Sequence, residues 1–214
     1  MKSRSPWRWN PVRGEYESGA KPAAQGTGEI SAIEAFRNCT MLLMGGTGFV
    51  GKVFLAMVLD RFPELQHLIV QVRRKKNVTG EQRFFNDILT SPPVRPSVER
   101  LGGIEAVRRK VSVIEGDLDE PLCGISGEWI EQHKGKITII VNLAGVVDFD
   151  PPVNESVEPN VYGTHHLIDL IKQLDTKLVH VSTCYVAGKR DGRISEDTPI
   201  VGYYPKRESA NDMS

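Results

Sequence analysis

The residues whose types and spacing best suit chemistry form a glycine-rich segment, Gly45-Gly-Thr-Gly-Phe-Val-Gly51. An apolar run precedes it and an amphipathic run follows it, which predicts a strand, a tight turn and a helix. The free N–H groups of such a helix N-terminus bind phosphate. Gly45 permits the turn, Gly48 lets the backbone approach a pyrophosphate, and Gly51 lets the helix pack close to the sheet. The predicted dinucleotide-binding residues here are Gly45, Thr47, Gly48, Phe49, Val50 and Gly51.

A basic run, Arg73-Arg74-Lys75-Lys76, follows the second apolar run. A cofactor without a 2′-phosphate usually needs Asp or Glu at this position to hold the ribose hydroxyls, whereas a guanidinium grips a phosphate through two hydrogen bonds. We therefore predict that Arg73 and Arg74 bind NADP(H). The alternative is a solvated basic loop.

Two further strand ends carry residues that suit a dinucleotide. Asp117 and Leu118 follow the third predicted strand, where an acceptor can meet the exocyclic amine of adenine. Ala144 and Gly145 follow the fourth strand, where small residues let a nicotinamide lie close to the backbone. Each segment could also be an ordinary turn.

The fifth predicted strand ends in Ser182-Thr183-Cys184-Tyr185. Ligands bind at the carboxyl ends of strands in open α/β sheets, so a hydroxyl here can donate to a substrate carbonyl and stabilise the charge that develops as hydride arrives. The alternative is a hydroxyl that satisfies nearby backbone groups. Cys184 has no base near it in sequence that would make it a nucleophile.

The elements that must position these residues alternate along the chain. Short apolar runs at 39–44, 67–73, 110–114, 136–142 and 177–182 predict strands buried on both faces. Helices are predicted at 31–38, 49–62, 125–133 and 155–174, with two helical pieces within 74–109 broken at Pro92-Pro93. This alternation predicts an α/β fold with a doubly wound, Rossmann-like parallel sheet that stops after its fifth strand.

Composition excludes several classes of function. The chain has 214 residues, 40% hydrophobic and 25% charged, and equal numbers of basic and acidic residues, 27 of each. These values fit a soluble globular protein without a nucleic-acid partner. Three cysteines without metal-like spacing, and no signal peptide, predict the reducing cytoplasm and no metal site. Membrane contact stays open from sequence, although no basic amphipathic helix indicates it.

The two ends of the chain differ from its middle. Residues 1–30 are polar and aperiodic and predict a flexible leader, although Trp7 and Trp9 could dock on a core or a partner. Residues 31–190 form the predicted NADP-binding domain. Residues 191–214 are turn-rich and predict a poorly ordered tail that leads to further chain.

Together these motifs resemble fatty acyl-CoA reductases, which are extended short-chain dehydrogenase/reductases with a male-sterility-type NAD-binding domain. The resemblance covers roughly residues 38 to 190 and is most specific in Asp148-Phe-Asp150 and Asn160-Val-Tyr-Gly-Thr164. It implies reduction of a long-chain fatty acyl-CoA by NADPH to the aldehyde, often on to the alcohol. It also implies that Thr183 is the catalytic Ser/Thr and Asn160 a cofactor-side asparagine.

The sequence departs from the family pattern in one respect. The family's catalytic Tyr-x-x-x-Lys pair lies on a helix after the fifth strand, where the Tyr protonates the carbonyl oxygen. Only Tyr185 has a lysine four residues on, Lys189, and Gly188 with the position directly after the strand argues against that pair. We therefore expect this chain to be the N-terminal part of a longer reductase and to be inactive alone.

Other interpretations stay open from sequence. A non-catalytic NADP(H)-binding module would be complete at this length. A thioester reductase domain of a large synthetase, or a sugar-nucleotide epimerase or dehydratase, would share the superfamily fold. Acyl chain length and oligomeric state are not determined by these motifs.

Overall fold

The computed structural model describes residues 7–10, 15–18, 31–146, 152–183, 186 and 192–196. The chain forms two compact units. One unit is Ile30–Val181, and the other combines Met1–Glu29 with Ser182–Ser214. The predicted leader, domain and tail boundaries therefore stay predictions.

The unit that contains both ends of the chain includes a β-hairpin within the predicted leader. Strand β1, Trp7–Asn10, pairs antiparallel with β2, Glu15–Ser18, and Trp9 lies opposite Tyr16 in the register. We expected little structure here because residues 1–30 are polar and have no periodic apolar pattern. Aromatic residues favour strands, so Trp7, Trp9 and Tyr16 were the available sequence signal for these two strands.

The larger unit contains a five-stranded parallel sheet. Its strands are β3 (Thr40–Met44), β4 (His67–Val72), β5 (Val111–Glu115), β6 (Ile139–Asn142) and β7 (Lys177–His180). They lie in the order β5-β4-β3-β6-β7. The chain runs outward from β3 to β5 and then crosses back to β6, so the strand order reverses between β3 and β6. The predicted doubly wound, Rossmann-like sheet is confirmed.

Eight α-helices occur in the described part of the chain. They are α1 (Ala32–Phe36), α2 (Phe49–Arg61), α3 (Gly80–Gln82), α4 (Arg95–Arg100), α5 (Ile104–Arg108), α6 (Gly127–His133), α7 (Val153–Val157) and α8 (Gly163–Leu174). Ser31 caps α1, because its hydroxyl accepts from the Glu34 N–H.

The predicted two helical pieces between 74 and 109 were too few. Helix α3 begins with a Thr79–Gln82 capping box and continues as a π-helical segment, Arg83–Ile88. After the prolines the chain forms α4 and α5 separately. Gly102 and Gly103 divide them because both have positive φ, +96° and +95°, which a continuous α-helix cannot accommodate.

The helix predicted at 155–174 is also interrupted. Its first turn, α7, passes into a π-helical segment, Glu158–Tyr162, before α8 begins. Pro159 lies at this change because proline has no N–H to donate to the preceding turn. Helix α8 ends at Leu174, and its C-cap residue, Asp175, is left-handed with φ +53°.

Both faces of the sheet are covered by apolar side chains. On face A, Leu43 and Val70 pack with Leu55 of α2. On face B, Leu42 and Ile140 pack with Leu167 of α8. In β3 and β4, residues of both alternations are buried, as expected for parallel strands enclosed between two helical layers. The edge strands β5 and β7 are more exposed. The prediction that all five strands are buried on both faces was therefore wrong for these two, because each has a neighbouring strand on one side only in the described sheet.

Asp60 joins α2 to α4 and gives a first testable prediction. Its carboxylate accepts from Ser97 Oγ at 2.9 Å and from Arg100 Nε at 3.1 Å, and the hydrogen bond from Arg100 is the main cause of its lowered pKa. We expect Asp60→Asn to lower the Tm at pH 7 by about 3 °C, because a partly exposed ion pair contributes modestly. Differential scanning calorimetry would measure this.

The effect of Asp60→Asn should depend on pH in a defined direction. A carboxyl whose folded pKa is lowered contributes stability above its unfolded pKa of ~3.9 and loses it as pH falls through the folded value. The Tm difference should therefore shrink in acid. Asp87→Asn is the control, because Asp87 forms no side-chain ion pair among the described residues. A Tm difference that persists unchanged in acid would contradict the prediction.

Candidate functional site

The glycine turn after β3 lies so close to neighbouring backbone atoms that it leaves no room for side chains. Gly45 has φ +78°, and a Cβ there would lie 2.4 Å from Ala144 N. A Cβ on Gly51 would lie 2.0 Å from Gly45 O. The turn, the start of α2 and the segment after β6 therefore meet at backbone-to-backbone distance.

The N-terminus of α2 is open to a ligand. Its N-cap is Gly48, which has no side chain to cap the helix, and the first-turn amides of an α-helix lack partners within the helix. Phe49 and Val50 are 86% and 59% exposed. These two predicted residues can thus contribute through their backbone N–H groups rather than through side-chain burial.

A cleft of about 400 Å³ lies at the carboxyl ends of four strands. Gly45, Thr47 and Gly48 line it after β3, and Arg73 lines it after β4. Asp117 and Leu118 enter after β5, and Ala144 and Gly145 after β6. The structure thus brings these predicted residues together at the point where the strand order reverses, the usual ligand position in such sheets.

The remaining predicted cofactor residues do not line the cleft. Phe49, Val50 and Gly51 belong to α2. Arg74 forms an ion pair with Glu115 at 3.0 Å. Asn160 lies behind the wall after β6, where its Oδ1 accepts from Val146 N at 3.0 Å and its Nδ2 donates to Val146 O at 3.2 Å.

The two arginines after β4 have different environments. Arg73 is largely exposed at the cleft and approaches Asp117 at 3.5 Å. Glu115, the partner of Arg74, also accepts from Gly80 N at 2.7 Å. That backbone hydrogen bond, with Arg74, lowers the pKa of Glu115. Arg74 is therefore engaged by Glu115 at the end of β5, while Arg73 faces the cleft.

Gln71 is a cleft residue that sequence reasoning missed. It is buried at 7% exposure and donates to Cys123 O at 2.7 Å. A Cβ on Gly116 would lie 2.3 Å from its Nε2, so glycine is required there. Burial, with repulsion from Asp117, raises the pKa of the Cys123 thiol to about 12, which leaves this cysteine unreactive. A buried polar residue within an apolar strand was the available signal.

Two asparagines hold the segment after β6. The side chain of Asn142 is buried, and its Oδ1 accepts from Ala144 N at 3.0 Å. Its Nδ2 lies 3.1 Å from His180 Nδ1 at the end of β7. Asn160 clamps Val146 as described above, so the wall formed by 143–146 is fixed at both ends.

Acidic residues in the cleft were also missed. Asp119, Glu155 and Glu158 line it with Asp117, and Arg73 is the one cation among the described lining residues. Glu155 lies in α7 and Glu158 begins the π-helical segment. Both are far along the chain from the end of any strand. No pattern in the sequence identified them as neighbours of the glycine turn.

Some predicted residues lie outside the described part of the chain. These are Asp148-Phe149-Asp150, Cys184, Tyr185 and Lys189. Thr183 is described, exposed, and follows β7 by three residues. It belongs to the other unit, and its catalytic role stays a prediction.

Comparison with known proteins identifies the family. Residues 43–213 match the male sterility protein family, whose domain binds NAD-type cofactors. The chain belongs to the male sterility protein family. A nicotinamide dinucleotide is therefore its cofactor type.

The curated proteins that this chain resembles include fatty acyl-CoA reductases. The chain is 30% identical over 177 residues to an alcohol-forming fatty acyl-CoA reductase of Simmondsia chinensis, covering 80% of this chain and 36% of that protein. It is 31% identical over 159 residues to fatty acyl-CoA reductase 2 of Mus musculus, covering 73% and 30%. The chain thus spans about a third of the curated relatives that it matches.

Solved structures of reductase domains share the fold. The terminal R domain of the myxalamid PKS-NRPS pathway is 29% identical with a TM-score of 0.60, covering 77% of this chain and 40% of that one. The reductase domain of a non-ribosomal peptide synthetase from Mycobacterium tuberculosis is 26% identical with a TM-score of 0.57, covering 72% and 35%.

The residues present fit a dinucleotide. Gly45 and Gly116 each lie where a Cβ would strike neighbouring atoms, and no side chain caps the adjoining helix. Such a backbone cradle suits a pyrophosphate at a helix N-terminus.

In the described ranges, no helix has the length and apolar character needed to cross a membrane.

Proposed function

We propose that this chain is the NADP(H)-binding part of a reductase that converts long-chain fatty acyl-CoA to the aldehyde or the alcohol. The match of residues 43–213 to the male sterility family carries this proposal. The similarity to fatty acyl-CoA reductases of a plant and a mammal supports the substrate class. The glycine cradle supports the dinucleotide.

The preference for NADP(H) rests on the position of Arg73. It follows β4 directly and faces the cleft, where the 2′-group of the adenosine ribose lies in this fold. A guanidinium there favours a 2′-phosphate. Asp117 and Leu118, beyond β5, would lie beside the adenine.

Different residues of the chain would bind the pyrophosphate, the nicotinamide and the substrate carbonyl. Backbone N–H groups of Phe49 and Val50 would bind the pyrophosphate at the start of α2. The wall held by Asn142 and Asn160 would seat the nicotinamide. When bound, the cofactor supplies the hydride that reduces the carbonyl. The Thr183 hydroxyl would donate to the substrate carbonyl oxygen and stabilise its developing charge.

We expect the 214-residue chain to bind NADPH without turning over substrate. NADPH fluorescence should increase on binding, with NADH markedly weaker. Steady NADPH oxidation should be absent with a long-chain acyl-CoA, because losing a general acid costs roughly 10²–10⁴-fold. Equal affinity for NADH would contradict the role given to Arg73, and sustained oxidation would contradict the proposed inactivity.

A thioester reductase is the second candidate. The reductase domains of the myxalamid pathway and of the Mycobacterium tuberculosis synthetase support it. Assays of the protein isolated from its own cells would compare an acyl-CoA with a carrier-protein thioester. Faster oxidation of NADPH with the carrier-bound substrate would favour this candidate over the first.

The proposed compartment is the cytoplasm. Cys39 and Cys123 are both buried and free, which is the usual state of cysteines in a reducing environment. Fractionation of the producing cells would test this, and recovery in an organelle would overturn it.

A further inference from the structure

A second cleft lies at the opposite end of the strands from the dinucleotide cleft. Its volume is about 450 Å³. Its floor is face B of the sheet, where His67 and Ser112 stand at the amino ends of β4 and β5. Its wall is α6, which has only seven residues and covers part of the sheet. We call this cleft, lined by His67, Ile69, Ser112, Ile114, Trp129, His133 and Lys136, the basal pocket.

The charges of the basal pocket differ from those of the dinucleotide cleft. His67 on β4, His133 on α6 and Lys136 after α6 contribute basic nitrogens, and none of the lining residues carries a carboxylate. Burial lowers the pKa of His67, and the charge of His133 lowers it further. An anion between them would relieve this repulsion.

Protonation of His67 would make the Ser112 hydroxyl available as a hydrogen-bond donor to an anion. Its Nε2 lies 2.8 Å from Ser112 Oγ. When the imidazole is protonated, both ring nitrogens donate, so Nε2 must donate to the Ser112 oxygen. The serine O–H is then available for another acceptor.

His133 has a fixed tautomer. Its Nδ1 lies 2.8 Å from Trp129 O, and a carbonyl only accepts, so Nδ1 carries the hydrogen. Protonation at low pH therefore occurs at Nε2. The ring stacks on Trp129, with centroids 3.8 Å apart and planes 13° apart.

We propose that the basal pocket binds a small organic monoanion, a carboxylate whose apolar body packs on Ile69, Ile114 and Trp129. The three basic groups match one oxyanion, and the apolar floor matches a hydrocarbon body. A metal ion fits less well, because the described residues contain no cluster of three metal-ligating side chains and Lys136 repels a cation. The inference is independent of the proposed reductase activity.

Hexanoate is a suitable probe for NMR titration of the 214-residue chain. We expect saturating hexanoate to raise the pKa of both His67 and His133 by at least about half a unit, with signals assigned from His67→Gln and His133→Gln. Hexan-1-ol, which has the body without the charge, should leave both pKa values unchanged. Binding should tighten as pH falls through the pKa values of the two histidines.

Matched lysine variants separate the pocket from general charge. Lys136→Met should weaken hexanoate binding about threefold to fivefold, whereas Lys134→Met should not, because Lys134 is exposed and does not line the pocket. Unmoved histidine pKa values in the folded protein would overturn the proposal. Equal pKa shifts with inorganic phosphate would overturn the apolar part of it.

Discussion

Replacing Gly51 with alanine should destabilise the folded protein and weaken NADPH binding, although alanine normally stabilises a helix. The added Cβ would lie 2.0 Å from Gly45 O and 2.8 Å from Gly46 Cα. Both are backbone atoms, so the helix must move away from the turn. We expect the free energy of unfolding to fall by about 2–3 kcal/mol, as in overpacked cores.

The same movement should disrupt the phosphate site. The first turn of α2 and the turn at Gly45–Gly48 form one surface, so displacing the helix misaligns its N–H groups. Loss of even one charge-assisted hydrogen bond implies NADPH affinity at least about tenfold weaker. Chemical denaturation and fluorescence titration would measure the two effects.

Gly127→Ala is the matched control. Gly127 is also helical, at the first position of α6, but a Cβ there would meet nothing within 4 Å. This variant should be as stable as the wild type or more stable by up to about 1 kcal/mol. If Gly51→Ala behaved like Gly127→Ala, the close packing of α2 on the glycine turn would be contradicted.

Arg73→Ala should change which cofactor binds. Arg73 is the one cation among the described residues that line the cleft, where Asp117, Asp119, Glu155 and Glu158 place four carboxylates. Without it, these carboxylates repel a 2′-phosphate with no compensating charge. We expect NADPH affinity to fall about 10–100-fold, since a hydrogen bond to a charged group contributes about 1.5–3 kcal/mol.

NADH affinity should be unchanged or slightly affected in Arg73→Ala, because NADH carries no 2′-phosphate. Arg74→Ala is the matched control, since Arg74 pairs with Glu115 and does not line the cleft. It should retain most of the NADPH affinity. Equal losses for both cofactors would show that Arg73 supports the fold, and a larger loss in Arg74→Ala would place the 2′-phosphate elsewhere.

Local patterns were sufficient for the architecture and for the centre of the site. The strands were predicted to within a few residues, because runs such as 39–44 are apolar on both faces and end in turn residues. The glycine spacing placed Gly45, Gly48 and Gly51 at the β3–α2 turn, since strand, turn and helix signals are all short-range.

Interruptions within helices were not predicted. The π-helical segments at Arg83–Ile88 and Glu158–Tyr162 lie inside runs with helical periodicity, and periodicity does not distinguish a change of hydrogen-bonding register. The hairpin of β1 and β2 was missed because it pairs two runs of four residues each, too short to show a periodic apolar pattern.

The sequence by itself determined the class of fold, the glycine cradle and the arginine at the end of β4, because each follows from residue type and spacing along one segment. Tertiary structure decided which of two adjacent arginines faces the cleft, and that Gln71 leaves no room for a side chain at Gly116. It also decided that Glu155 and Glu158 line the cleft together with Asp117. It also brought together the histidines of the basal pocket, His67 and His133, from β4 and α6. The reason is physical: these relations depend on how strands and helices distant in sequence pack, and packing is settled by the whole core rather than by any one segment.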